Sequence, residues 1–200
     1  MEKEQEILEK AREMFMTYGL RSITMDDLAR EIGISKKTLY QHYKDKADLI
    51  KKIVHLEVEK MTKLMESIFL SGENTIDRMI KINKLMIEMK KNTPKNVQFD
   101  LEKYYPDIAE EINEKTENKM FKAIKQNHEI GIKEGLIRND LDTNIIAVLQ
   151  LCRSNYSNKF TELLPEYDDE KILNEIFEYH IRGIATPKGI EYFQKNYSKK

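Results

Sequence analysis

Gly33-Ile34-Ser35-Lys36-Lys37-Thr38-Leu39-Tyr40-Gln41-His42-Tyr43-Lys44-Asp45-Lys46-Ala47-Asp48-Leu49 holds two helix starts in quick succession. Ser35 has the side chain of an N-cap, and Ile34 stands opposite Leu39 as a hydrophobic staple. Asp45 opens the next helix, with Leu49 on its buried face. The same grammar stands just upstream in Ile23-Thr24-Met25-Asp26-Asp27-Leu28. Thr24 is the N-cap there, Asp27 completes a capping box, and Ile23 and Leu28 form a second staple. Gly33 follows Ile32 and stops that helix early. Further upstream, Ile7, Leu8, Ala11, Met14, Phe15 and Tyr18 recur at threes and fours, which predicts a helix over 7–18 capped by Gly19. The first fifty residues or so therefore read as three short, sharply jointed helices followed by a fourth.

Two short helices joined by a tight turn make a helix-turn-helix, whose second helix is slim enough to enter the major groove of DNA. The exposed groups expected there suit that task. Lys36, Lys37, Thr38, Gln41 and His42 can donate to phosphates or base edges, and Tyr40 and Tyr43 offer hydroxyls and flat faces. Leu39 points back to the core. The helix start also offers backbone N–H groups to a phosphate. Lys36, Lys37, Lys44, Lys46, Lys51 and Lys52 form a local basic stripe against Asp45 and Asp48, a charge pattern that also fits an ordinary solvated face.

The composition agrees with an all-helical chain. It has 200 residues, 34 Lys plus Arg against 35 Asp plus Glu, a net charge of -1, and only 7 Gly and 4 Pro. So few breakers argue against a sandwich or barrel, which need many turns. The single cysteine, Cys152, excludes an internal disulfide framework and a zinc site built on paired thiolates. It sits in an apolar segment and is expected to be a buried, inert thiol. The acidic start Met1-Glu2-Lys3-Glu4-Gln5-Glu6 is unlike a signal peptide, and no apolar run approaches a membrane span, so a soluble, cytoplasmic protein is expected.

Beyond the motif the pattern stays helical. Helices are expected over 46–70, 74–91, from Pro94 to near Tyr104, from Pro106 to about Glu134, 143–164 and 169–185, with a last short one opened by Thr186-Pro187. This sets a fold class: all-α, with a helix-turn-helix domain over 1–45 and a larger helical domain over 46–200. No catalytic set, nucleophile elbow or phosphate loop is present. His42, His55, His128 and His180 share no metal-ligand spacing, so neither a metal nor a cofactor is expected.

The quoted stretch, together with Ala11, Phe15, Gly19, Thr24 and Ile32, resembles the DNA-binding signature of the tetracycline-repressor (TetR) family over roughly residues 5 to 50. The resemblance implies a bacterial homodimer that binds a double-stranded operator and responds to a small molecule. Carried over by position, Thr24 and Met25 open the helix that touches the DNA backbone. Ser35 caps the recognition helix, and Lys36, Lys37 and Thr38 lie at base and phosphate positions. Tyr40, Gln41, His42 and Tyr43 follow on it, and Lys46 matches a phosphate clamp. Two departures stand out: the first helix is preceded by acidic residues, so no basic arm is expected, and the recognition helix has no Arg.

For the larger domain the resemblance implies a ligand cavity drawn from Met61, Met65, Met86, Met89, Phe99, Tyr104, Phe121, Tyr156 and Phe160, suited to a largely apolar effector. It also implies dimerisation through the helices at 143–164 and 169–185. Ile146, Leu149, Leu151, Ile172, Ile176, Phe177 and Ile181 supply more apolar surface there than one buried face requires. The alternative is a helix-turn-helix protein without a small-molecule effector, governed by a protein partner or acting structurally on DNA.

Overall fold

The joints read from the sequence are the joints of the fold. A computed structural model describes residues 2–155, 160 and 163–197, and the side chains of this range except those of 2, 154 and 155. Among the described residues there are ten helices, and no helix is long and apolar enough to cross a membrane. They are α1 (Glu2–Tyr18), α2 (Met25–Ile32), α3 (Lys36–His42), α4 (Lys46–Phe69) and α5 (Thr75–Asn92). Then come α6 (Lys95–Tyr104), α7 (Pro106–Lys133), α8 (Thr143–Asn155), α9 (Asp169–Ile184) and α10 (Pro187–Asn196). The fold is all-α.

α1 starts five residues earlier than the apolar spacing predicts. Its first turns are Glu, Lys and Gln, which need no buried face to stay helical and are tied by an exposed Lys3–Glu6 pair. Gly19 ends it at a φ of 87°, a left-handed conformation that Gly adopts without strain, and donates its amide to the Phe15 carbonyl at 2.9 Å.

The described residues pack into two compact units, each built from two stretches of chain: 1–63 with 92–114, and 64–91 with 115–200. In the first, Ile7, Ala11 and Phe15 of α1 meet Leu28 of α2, Leu39 of α3 and Leu49, Ile50 and Ile53 of α4. Ile108 of α7 joins this core, and Val97 and Leu101 of α6 pack on it. The core of a three-helix motif is thus completed by later helices, which a linear division at residue 45 does not convey.

In the second unit, Ile76, Met79 and Ile80 of α5 pack with Phe177, Ile181 and Ile184 of α9, Phe193 of α10 and the loop residues Leu136 and Ile137. The loop and the α9–α10 joint are locked together. Arg138 donates its amide to the Ile184 carbonyl at 2.9 Å, and Thr186 donates to that of Leu136 at 3.0 Å. Two glycines allow close approaches here. A methyl group at Gly189 would overlap the Leu136 carbonyl oxygen, and one at Gly131 would overlap Ile137 and Thr75.

This core corrects two expectations. Ile172, Phe177 and Ile181 are buried within the chain, so they serve its own core and not a second subunit. The outward face of α8 is instead Ile145, Val148, Leu149 and Cys152, at helical spacing. Cys152 is exposed, because the apolar run it belongs to turns this side away from α9. The end of the helix expected over 143–164 lies largely outside the described residues.

Candidate nucleic-acid interface

Both short helices are held by their caps. At α2 the Thr24 hydroxyl accepts from the Asp27 amide at 3.1 Å, and Asp27 Oδ2 accepts from the Thr24 amide at 3.0 Å. This is the complete capping box. The hydrogen bonds from Thr24, aided by Arg30, hold the Asp27 carboxyl below the usual range, so it is ionised where the helix start favours negative charge. Between the helices Gly33 takes a φ of 73°, and its amide and that of Ile34 turn back to the carbonyls of Arg30 and Ala29. At α3 Ser35 Oγ accepts from the Thr38 amide at 3.0 Å. Asp45 Oδ1 accepts from the Asp48 amide at 2.9 Å and starts α4.

These anchors leave one face of α3 open. Ser35, Lys36, Lys37, Tyr40, Gln41 and His42 are exposed, and Thr38 is half-buried. Lys36 pairs with Asp26 on α2. Both partners are more than half exposed, so the pair is weak and gives way readily to a phosphate. Lys37 has no ion pair among the described residues. Thr24 is exposed at the start of α2. The outward groups are cations, hydroxyls, an amide and a ring, a set that can donate to phosphates and read base edges.

Three residues of the expected set turn inward. Met25 and Tyr43 are 6% and 3% exposed and belong to the core of this unit. Tyr43 follows α3 where the chain turns into α4, so its ring closes the motif; burial pushes its hydroxyl up to about 12. These two position the motif, and their side chains do not reach its surface. Lys46 is half-buried, with Nζ 3.3 Å from the Arg21 carbonyl and 5.8 Å from the centroid of the Phe15 ring. Burial lowers its pKa. To clamp a phosphate it would have to release that carbonyl.

Sequence reasoning did not single out Arg21, and it placed the stretch from Asp100 to Pro106 at a helix joint suited to ligand entry. Asp100 Oδ2 of α6 accepts from the Arg21 amide at 3.0 Å, and Arg21 Nη1 donates to the Tyr104 hydroxyl at 3.1 Å. These bonds tie the α1–α2 turn to a helix about eighty residues away, which no local spacing reveals. Tyr104, expected in a ligand cavity, is thereby a partner of Arg21 in the first unit. Phe99, also in that unit, is exposed beneath Lys103. Met61 is half-buried in the first unit. Met65, Met86, Met89, Phe121 and Phe160 are half-buried in the second. Tyr156 lies outside the described residues. Among the described residues no group of three or more His, Cys, Asp or Glu is placed to hold a metal ion.

Comparison with known proteins bears on this motif directly. Residues 7–53 match the family model of bacterial regulatory proteins, tetR family. An HTH-type transcriptional regulator of Staphylococcus aureus (strain USA300) is 38% identical over 58 residues, 29% of this chain and 31% of its own length. The chain thus matches about a third of the length of this curated relative. Solved structures share the fold across nearly the whole chain. A regulator of the TetR/AcrR family from Thermobifida fusca aligns with a TM-score of 0.70 at 19% identity, covering 92% of this chain and 98% of its own. The ketosteroid transcriptional regulator KstR2 of Mycobacterium tuberculosis aligns at 0.59 and 20% identity, covering 92% and 95%. The region from Ile7 to Ile53, with its capped α2 and α3, thus matches the model of bacterial regulatory proteins, tetR family, and the chain shares the fold of solved TetR-family regulators.

Proposed function

We propose that the chain is a transcriptional regulator, acting as a repressor in the bacterial cytoplasm, that binds a palindromic operator as a homodimer. The observation that carries this is the open face of α3: Lys36, Lys37, Tyr40, Gln41 and His42 project from a short helix capped at Ser35, within a region that matches the tetR model. Two such helices in a symmetric dimer read half-sites one helical turn apart, roughly 34–36 Å. The exposed stripe of Ile145, Val148, Leu149 and Cys152 on α8 supports pairing with a second copy, since a large apolar patch on a monomer marks an interface. We assign the second unit a small, largely apolar effector; the ketosteroid regulator of the same fold supports that chemistry. Effector and operator would oppose each other by favouring different conformers, with coupling typically ~1–3 kcal/mol. Selection from a random duplex library tests the reading. The enriched sequences should form an inverted repeat with half-sites about one turn apart. A library that shows no enrichment would contradict it.

A further inference from the structure

In the second unit α7, α8 and α9 bring four polar side chains together, two buried and two half-buried. His128 of α7 is 1% exposed, and neither of its ring nitrogens has a well-formed hydrogen bond. Its ring lies 6.2 Å from that of His180 on α9, centroid to centroid. His180 Nε2 is 3.2 Å from Oε1 of Gln150 on α8. One turn further along α8, Arg153 lays its guanidinium 5.8 Å from the centroid of the Phe177 ring. Its Nη1 is buried without a hydrogen-bond partner, and no carboxylate among the described residues acts on it: burial alone lowers its pKa, to about 10. Burial also drives His128 to about 4 and His180 to about 3, the latter helped by the nearby Arg153 charge. Both imidazoles are therefore neutral near pH 7, and Arg153 carries the formal charge of the cluster.

Arg153 is half-buried with Nη1 fully enclosed, and a cation held so without a counter-charge among the described residues is costly unless something supplies the opposite charge. Here three helices converge on an arginine, two neutral imidazoles and an amide beside an aromatic ring. We propose that Arg153, His180, Gln150 and His128 form the binding site for the carboxylate head of a small amphipathic ligand. A guanidinium fork matches a carboxylate in a bidentate pair. One positive charge balances one negative charge, which favours a monocarboxylate over a doubly charged phosphate. The neutral His128 ring can donate one hydrogen bond to a bound oxygen, while the single N–H of neutral His180 points to Gln150 Oε1 and holds that amide in place beside Arg153. The proposal rests on the effector-binding reading above, and it names the head group that reading leaves open.

The test is calorimetric titration of the full chain with octanoate, decanoate, benzoate and phenylacetate, each beside its alcohol, with decyl phosphate as a further arm. At least one carboxylate should bind once per subunit, about tenfold or more tighter than its alcohol and than decyl phosphate. Arg153→Gln should lose that preference, and Arg153→Lys, which keeps the charge but not the fork, should retain only part of it. Circular dichroism and melting would confirm that the variants are folded; if Arg153→Gln is not, Arg153→Lys and His180→Gln carry the comparison. Alcohols binding as well as acids, phosphate preferred to carboxylate, or no head-group preference across the panel would each overturn the proposal. So would a dimer that dissociates on Arg153→Gln without ligand, since a second copy would then be supplying the missing charge. A carboxylate that binds while the protein ignores every DNA would sink the regulator reading and leave this site standing.

Discussion

Thr24 shows how much one residue decides in this fold. Its hydroxyl and amide both bond Asp27, and the helix they start carries Leu28 and Ile32 into the core that seats α3. Thr24→Ala removes one half of that box, and we expect a loss of about 1 kcal/mol in denaturant unfolding, the usual cost of an N-cap. Gly189 works by absence. Its missing side chain lets α10 lie against the Leu136 carbonyl, and backbone cannot move aside as a side chain can. Gly189→Ala should therefore cost about 1–3 kcal/mol of stability, while Gly183→Ala, where a methyl meets nothing within 4 Å, should leave the melting temperature unchanged or raised. Equal destabilisation by both would show that the close approach at Gly189 is not what matters. Caps such as Thr24, Ser35 and Asp45 were legible in the sequence because their hydrogen bonds are local. Gly189 was not, since its partner lies fifty-odd residues upstream.

At the scale of helices, periodicity gave the elements and most of their ends, but it could not say which apolar face met which partner. α8 is apolar on more than one side, so spacing alone left Leu149 and Ile146 equivalent. In the fold Ile146 packs on the second core and Leu149 stays 55% exposed. Polar residues were harder still. His128, Gln150, Arg153 and His180 lie on three helices, and their grouping became visible only when α7, α8 and α9 were packed. Their burial sets an acid response. Unfolded histidine takes up protons near pH 6.5, while His128 in the fold does so only near 4 and His180 near 3. Stability should therefore be full above about pH 6.5 and fall as the pH drops toward 4, by about 3 kcal/mol from His128 alone. The groups that act on it are Gln150, by a hydrogen bond, and His180, ring to ring, neither of them an acid that would reverse the sign. Chemical unfolding at pH 7, 5.5 and 4.5 checks this. His128→Asn should flatten the profile over that range, and an unchanged profile would contradict the assignment.

For the whole molecule, the sequence pointed to the right fold because its N-terminal joints are strongly specified and its breakers are few. It was less informative on the face through which a second copy would pair, since burial inside one chain and burial between two look alike in a hydrophobic pattern. Of the residues expected at an interface, Ile172, Phe177 and Ile181 lie in the chain's own core, whereas Leu149 lies on the outward stripe with Ile145, Val148 and Cys152. A dimer built on that stripe should dissociate when charge is placed in it. Leu149→Lys is expected to sediment as a monomer at micromolar concentration with its helical content intact, because the substitution is at the surface of the subunit. A variant that remains dimeric would move the interface elsewhere.

The central claim is that the open face of α3 reads DNA, and its most direct test is binding of the purified chain to duplex DNA from upstream of its own gene. The titration is run at two salt concentrations, with Lys36→Ala/Lys37→Ala alongside. Tight, sequence-selective binding that weakens as salt rises is expected. The double variant should bind far more weakly, with a salt slope lower by about one for each phosphate no longer neutralised, and should melt like the parent. Binding by the folded double variant as tight and as salt-dependent as that of the parent would contradict it.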